Sequence, residues 1–173
     1  MKTTKVPFLL FVFAIISISA WSQVGKPDYA ALRRIMLSGD FDRADSMLRS
    51  YGFQFQQPLQ SNTGGECLNI YTWKKFNLGK NGGPDYNELL ALYRKCEGEV
   101  WYNMLRYLTF DEGWFNELKS QGRREAGLKD LGEEVNKQCV IRKYKDKNFI
   151  LHFKNCYNNR QEYHLDIVYD FPY

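Results

Sequence analysis

The run C-L-N-I-Y-T-W (Cys67 to Trp73), answered by Y-R-K-C (Tyr93 to Cys96), decides how this chain folds. The same grammar returns as C-V-I-R-K-Y (Cys139 to Tyr144) and F-K-N-C (Phe153 to Cys156). In each case one cysteine opens a strand-like run and a second closes the next. The first residue of one antiparallel strand faces the last residue of its partner, so Cys67–Cys96 and Cys139–Cys156 are placed as cross-strand disulfides. Four cysteines allow three connectivities, and it is hairpin geometry that suggests this one. With Cys67 facing Cys96 the hairpin centre falls between Asn81 and Gly82, a strong turn signal. That register sets Tyr71 against Leu92, Trp73 against Leu90 and Lys75 against Glu88, apolar and opposite-charge neighbours of the kind that stabilise a sheet. With Cys139 facing Cys156 the centre falls at Lys147-Asn148 and Tyr144 faces Leu151.

Working outward, a helix-like segment ending in glycine precedes each opening strand: S-M-L-R-S-Y-G (Ser46 to Gly52) and N-E-L-K-S-Q-G (Asn116 to Gly122). Further upstream, Asp28 caps a helix over Y-A-A-L-R-R-I-M-L that Gly39 stops, and Asp40 caps a second helix through Arg49, ended by Gly52. Strands are predicted at Leu68 to Phe76, Tyr86 to Lys95 and Val100 to Phe110, with Glu97-Gly98 as a turn. The run E-L-L-A-L-Y-R-K also fits a helix, and the cysteine pairing decides for strand. In the second half, a short helix over Phe115 to Ser120 precedes strands at Val140 to Tyr144, Phe149 to Lys154 and Tyr163 to Phe171. Gln56 to Gly65 reads as a polar loop, and Leu128 to Gln138 fits either helix or loop. The fold class is therefore α+β: two tandem α-β-β-β units with antiparallel sheets, residues 23–110 and 111–173, within one compact domain. The two sheets join or pack separately; both arrangements fit.

At this level the chain resembles the beta-lactamase inhibitor protein family. The residues behind the resemblance are I-M-L-S-G-D (Ile35 to Asp40), the helix ending at Gly52 and the paired-cysteine hairpins. The resemblance implies tandem repeats that each place short helices on an antiparallel sheet, and an inhibitor function. It carries over no inhibitory residue.

Residues 1–22 read as a secretory signal peptide. Lys2 and Lys5 precede an uncharged stretch from Val6 to Ile18, and Ala20 and Ser22 sit at the −3 and −1 positions of a cut before Gln23. That stretch is short of the roughly 20 residues a spanning helix needs. The expected mature chain is secreted or periplasmic, without a transmembrane segment, and an even cysteine count there favours disulfides over metal or catalytic thiols. Removing Lys2 and Lys5 leaves 22 Lys and Arg against 20 Asp and Glu, a net charge of +2. Interspersed signs and so small a balance argue against a nucleic-acid or polybasic membrane binder.

Catalytic signatures are missing: no nucleophile elbow, phosphate loop, zinc-protease or calcium-loop pattern is found. His152 and His164 read as surface histidines on polar strand faces. Asp111-Glu112 reads as a helix start, where negative charge is favoured. No cofactor, metal ligand or catalytic residue is nominated. The aromatic content is 16%, and much of it falls on the first sheet. With Glu97-Gly98 as the turn, Arg94 opposes Trp101 and Glu88 opposes Tyr107. One face then carries Tyr71, Trp73, Leu90, Trp101 and Tyr107, with Arg94 beside them, and these six residues form the candidate ligand-binding set. If the halves are alike, the cysteine faces of both point away from the helices and this set forms an exposed aromatic patch; the alternative is that the second half or the polar loop Gln56 to Gly65 covers it. The first functional expectation is an exported non-catalytic binding protein, an inhibitor or interaction module with a protein or cell-envelope partner. The alternatives are a small exported hydrolase using carboxylates such as Glu66, Asp85, Asp111 and Glu112, and a structural subunit of a cell-surface assembly.

Overall fold

A computed structural model describes residues 25–63, 66–76, 86–96, 102–136, 138–158 and 160–170. The segment expected to be a signal peptide, the expected turns at Asn81-Gly82 and Glu97-Gly98, Asp85 and Trp101 lie outside the described residues, as does the side chain of Glu66. Among the described residues there are three helices: α1 (Tyr29–Met36), α2 (Phe41–Ser50) and α3 (Glu112–Ala126). Nine strands follow the order β1 (Gln54–Phe55), β2 (Leu59–Thr63), β3 (Glu66–Phe76), β4 (Tyr86–Lys95), β5 (Met104–Thr109), β6 (Lys129–Val135), β7 (Cys139–Lys145), β8 (Phe149–Asn158) and β9 (Arg160–Tyr169).

The helices begin where short acidic side chains satisfy free backbone donors. Asp28 accepts from the Ala31 amide at 2.7 Å, Asp40 from Asp42 at 3.0 Å and Asp111 from Trp114 at 2.9 Å. Each such cap is worth about 1 kcal/mol. Gly39 and Gly52 take the positive φ expected of them, 64° and 81°. The third helix differs from expectation: it runs through Gly122 to Ala126 and stops at Gly127, whose φ of 54° is left-handed. A glycine in mid-helix mimics a terminator in sequence, but here it simply faces Tyr29, Leu128 and Phe153 within the helix.

All strands belong to one antiparallel sheet, ordered β1-β3-β4-β5-β9-β8-β7-β6, with β2 also paired to β3. The seam between the halves is β5–β9, where Leu105 opposes Ile167 and Tyr107 opposes Leu165. The β3–β4 register is the expected one, with Tyr71 opposite Leu92, Trp73 opposite Leu90 and Lys75 opposite Glu88. In β7–β8, Cys139 opposes Cys156 and Tyr144 opposes Leu151. Both disulfides are formed, Cys67–Cys96 with Cα atoms 5.4 Å apart and Cys139–Cys156 at 4.1 Å. The closed loops are each worth about 3 kcal/mol if the constraint on the unfolded chain dominates.

Three expectations are corrected. Tyr107 opposes Leu90, not Glu88, whose partner is Thr109. This two-residue shift preserves strand parity, so the face assignments survive it. The segments read as polar loop and as helix or loop contain strands β2 and β6, which are edges. Finally, the two cysteine faces point opposite ways. Following pairs across the sheet, the face of Cys67 continues through Trp73, Leu90, Tyr107, Leu165 and Phe153, while that of Cys139 continues through Ile141, Lys154, His164 and Leu108.

The face of Cys67 is the core. Its row Tyr71, Leu92, Leu105, Ile167, Leu151, Tyr144 lies beside the row Trp73, Leu90, Tyr107, Leu165, Phe153, and α1, α2 and α3 pack over both. Trp73 is completely buried. Its ring lies 5.7 Å from Phe41 and 5.2 Å from Phe55, and its indole N–H donates to Asp45 at 2.8 Å. Tyr102, which precedes β5, is also core, its ring 6.0 Å from that of Tyr71 in an edge-to-face arrangement. The N-terminal helix reaches the second half: the Tyr29 amide donates to Gln121, and Arg33 sits 5.0 Å from the Phe149 ring and 3.7 Å from Asp146.

Candidate functional site

The five described members of the nominated set do not form an exposed patch. Trp73, Leu90 and Tyr107 have no exposed surface at all. Tyr71 and Arg94 are half-buried at the margin of the core, where the Arg94 guanidinium donates to the Tyr71 hydroxyl at 2.9 Å. Trp101 lies outside the described residues. The helices cover this face because each presents an apolar stripe (Leu32, Ile35 and Met36 on α1, Leu48 on α2, Phe115 and Leu118 on α3) that only the aromatic rows can bury. The same face holds a buried carboxylate, Glu88, which accepts from the Tyr107 hydroxyl at 2.6 Å with Lys75 at 4.0 Å. Burial and the Glu88 charge push the Tyr107 phenol well above its ordinary value.

The opposite face contributes nothing to the helix-packed core, and among the described residues it carries a polar network centred on Asp166. Strand alternation on β9 places Asp166 there between the inward residues Leu165 and Ile167. Pairing with β5 and β8 sets Arg106 and His152 on either side of it. Asp166 accepts from Arg106 Nε at 2.8 Å, from a second guanidinium nitrogen at 3.0 Å and from Lys154 at 2.6 Å. Its exposure is 1%. Burial alone would raise this carboxyl, but the hydrogen bonds and charges of Arg106 and Lys154 outweigh that and hold it below the usual range. Burial pushes both histidines down, for His164 against the opposing pull of Glu162 at 3.3 Å. Both are therefore mostly neutral at pH 7.

Around this network lie two further ion pairs, Lys143–Glu134 and Lys145–Asp170, each at 2.5 Å. Lys74, on the same face, sits 5.1 Å from the Tyr86 ring. Among the described side chains, cations thus outnumber anions across the face. Beside the network runs an apolar row, Ile70, Tyr93, Met104, Val168 and Ile150, whose members are all half-buried. The polar positions of β9 and the lysines of β7 and β8 were visible in the sequence. What brings Arg106 to Asp166 is the β5–β9 pairing, 60 residues apart along the chain, and no local pattern encodes it.

Asp166 is fully engaged by two cations, which leaves it no free role as a base. Among the carboxylates suggested for hydrolysis, Asp111 caps α3 and pairs with Lys26 at 2.5 Å. Glu112 stands on the helix side of the sheet, apart from the histidines. Among the described residues no group of three or more His, Cys, Asp or Glu side chains is placed to hold a metal ion. Nor is any described helix long and apolar enough to cross a membrane. Comparison with known protein families, with curated proteins and with solved structures returns no match for this chain.

Proposed function

We propose that this chain is an exported, non-catalytic binding protein that docks a protein partner on the open face of its sheet. The observation that carries the reading is one-sided layering: helices pack on one face of a nine-stranded sheet, and the other offers an apolar row beside a cationic network. Interfaces favour an apolar centre with charged groups at the rim, and the sign of this rim suits an acidic partner. Inhibition is the form of binding that the family resemblance implies. Export is supported by the two disulfides and by the leader-like start of the sequence. The tandem organisation remains part of the reading: β3-β4-β5 followed by β9-β8-β7 is the order a two-fold duplication produces, although the opposed cysteine faces require a one-residue offset between the halves.

The test is site-specific photo-crosslinking in the native envelope or culture fluid, with the crosslinker at Tyr93 or Ile70 and, as control, at Leu131. One stoichiometric protein captured from Tyr93 and Ile70, not from Leu131, and lost on Lys74→Glu, is the expected result. Equal capture from all three positions would overturn the docking face. Capture only of further copies of this chain would replace the reading with a structural subunit.

A further inference from the structure

The geometry points to a second, separate site: a pocket between α3 and strands β7 and β8 that takes a short zwitterionic peptide of two or three residues. The pocket has a volume of about 220 Å³ and lies on the helix-bearing side of the sheet. One wall is a single face of α3, formed by Glu112, Phe115, Asn116 and Lys119, at the spacing that brings side chains onto one side of a helix. The opposite wall includes Val140 and Phe153. The apolar floor is preformed, with the Phe115 ring 5.7 Å from Phe153 and 5.2 Å from Tyr163.

The charges are sorted by whether they are already engaged. Arg142, across the pocket, is held by Asp130 and Glu133. Among the described residues, no hydrogen bond or ion pair holds Lys119 or the Asn116 amide. Glu112 lies close enough to the Tyr163 phenol that its charge helps burial raise that phenol above its ordinary value, and an ionised carboxylate has several acceptor sites to offer a ligand. The groups left to meet a ligand are therefore an anion at one end of the wall, a cation at the other and an amide between them. Seven residues of helix separate Glu112 from Lys119 by a rise of about 10 Å. An extended dipeptide or tripeptide spans about 7–10 Å. Its ammonium group meets Glu112, its carboxylate meets Lys119, its peptide group meets Asn116, and an apolar side chain covers Phe115, Phe153 and the 42% exposed Val140.

Titration of the isotope-labelled protein with Ala-Leu-Ala, followed by amide NMR shifts, tests this. The expected result is saturable shifts confined to α3, β7 and β8. Acetylating and amidating the peptide ends should weaken binding at least about tenfold, and Lys119→Ala or Glu112→Gln should weaken the free peptide but not the capped one. Because both side chains lie on the surface of α3, the variants fold, and unchanged spectra outside the pocket verify it. Equal affinity for free and capped peptide, shifts centred elsewhere, or no saturation up to about 10 mM would overturn the assignment. The open-face variant Lys74→Glu, on β3 and away from α3, leaves this titration unchanged, so the site stands or falls separately from the docking face.

Discussion

Asp166 shows how one buried charge can set the acid response of a protein. Its folded pKa lies below the ordinary value because Arg106 and Lys154 hold it. Its contribution to stability is therefore present above the unfolded value and is lost as pH falls below about 4. Arg106→Gln is expected to cost about 2 kcal/mol at pH 7, since Lys154 remains to compensate part of the buried charge. At pH 3 the gap between variant and parent should shrink, and paired urea melts at the two pH values check this. His152 and His164 act in the same direction at higher pH. Their folded values are depressed, so the unfolded chain binds protons first and stability begins to fall below about pH 6.5. Trp73 is the apolar counterpart. Wholly enclosed by Phe41 and Phe55, it should cost about 3–5 kcal/mol on truncation to alanine. A Trp73→Ala protein that melts like the parent would mean that the aromatic face is not the core.

At the scale of elements, α3 offers a matched pair of glycine tests. A methyl group at Gly122 meets Leu128 at 3.6 Å and Phe153 and Tyr29 at 3.7 Å, ordinary contact distances. Gly122→Ala should therefore stabilise the protein by about 0.5–1 kcal/mol through helix propensity. Gly127 has open space around it but a φ of 54°, so Gly127→Ala should destabilise by about 1 kcal/mol. Thermal melts that move in the same direction for both would contradict this account of α3. The two hairpins were legible in sequence because cysteines mark their ends and strand parity sorts their side chains. The edge strands were not. β2 reads L-Q-S-N-T and β6 reads K-D-L-G-E-E-V, and neither alternates, because an edge exposed to water does not need to. Gly132, at φ 99° beside an irregular register, further disguises β6. The pocket was half-visible: Glu112 was singled out, but its partners across the groove come from strands whose pairing with α3 is non-local.

At the scale of the molecule, the seam between β5 and β9 makes the halves interdependent. It joins six residue pairs from Met104–Val168 to Thr109–Tyr163. The N-terminal helix adds contacts to Gln121 and Asp146 in the second half. Residues 23–110 alone should therefore lack a dispersed amide NMR spectrum, as should residues 111–173, and mixing the oxidised halves should restore dispersion. A well-dispersed spectrum from either half alone would show that the seam is a contact between finished units.

The place of β9 in the sheet order also sets a timetable. A ribosome makes this chain from α1 towards β9, yet β9 lies between β5 and β8, near the middle of the sheet. Until residues 160–169 emerge, β5 and β8 each present an unpaired edge, and the aromatic rows lack the strand that joins them. Both hairpins can close and oxidise early, because their strands are neighbours in time as well as in space. The core cannot. During that interval the nascent protein is two cross-linked flaps with open hydrogen-bonding borders, the state in which strand-swapped dimers and aggregates form. β9 works as a zipper pull, and a holdase that shields the border of β5 until it arrives would protect the chain while that edge is open.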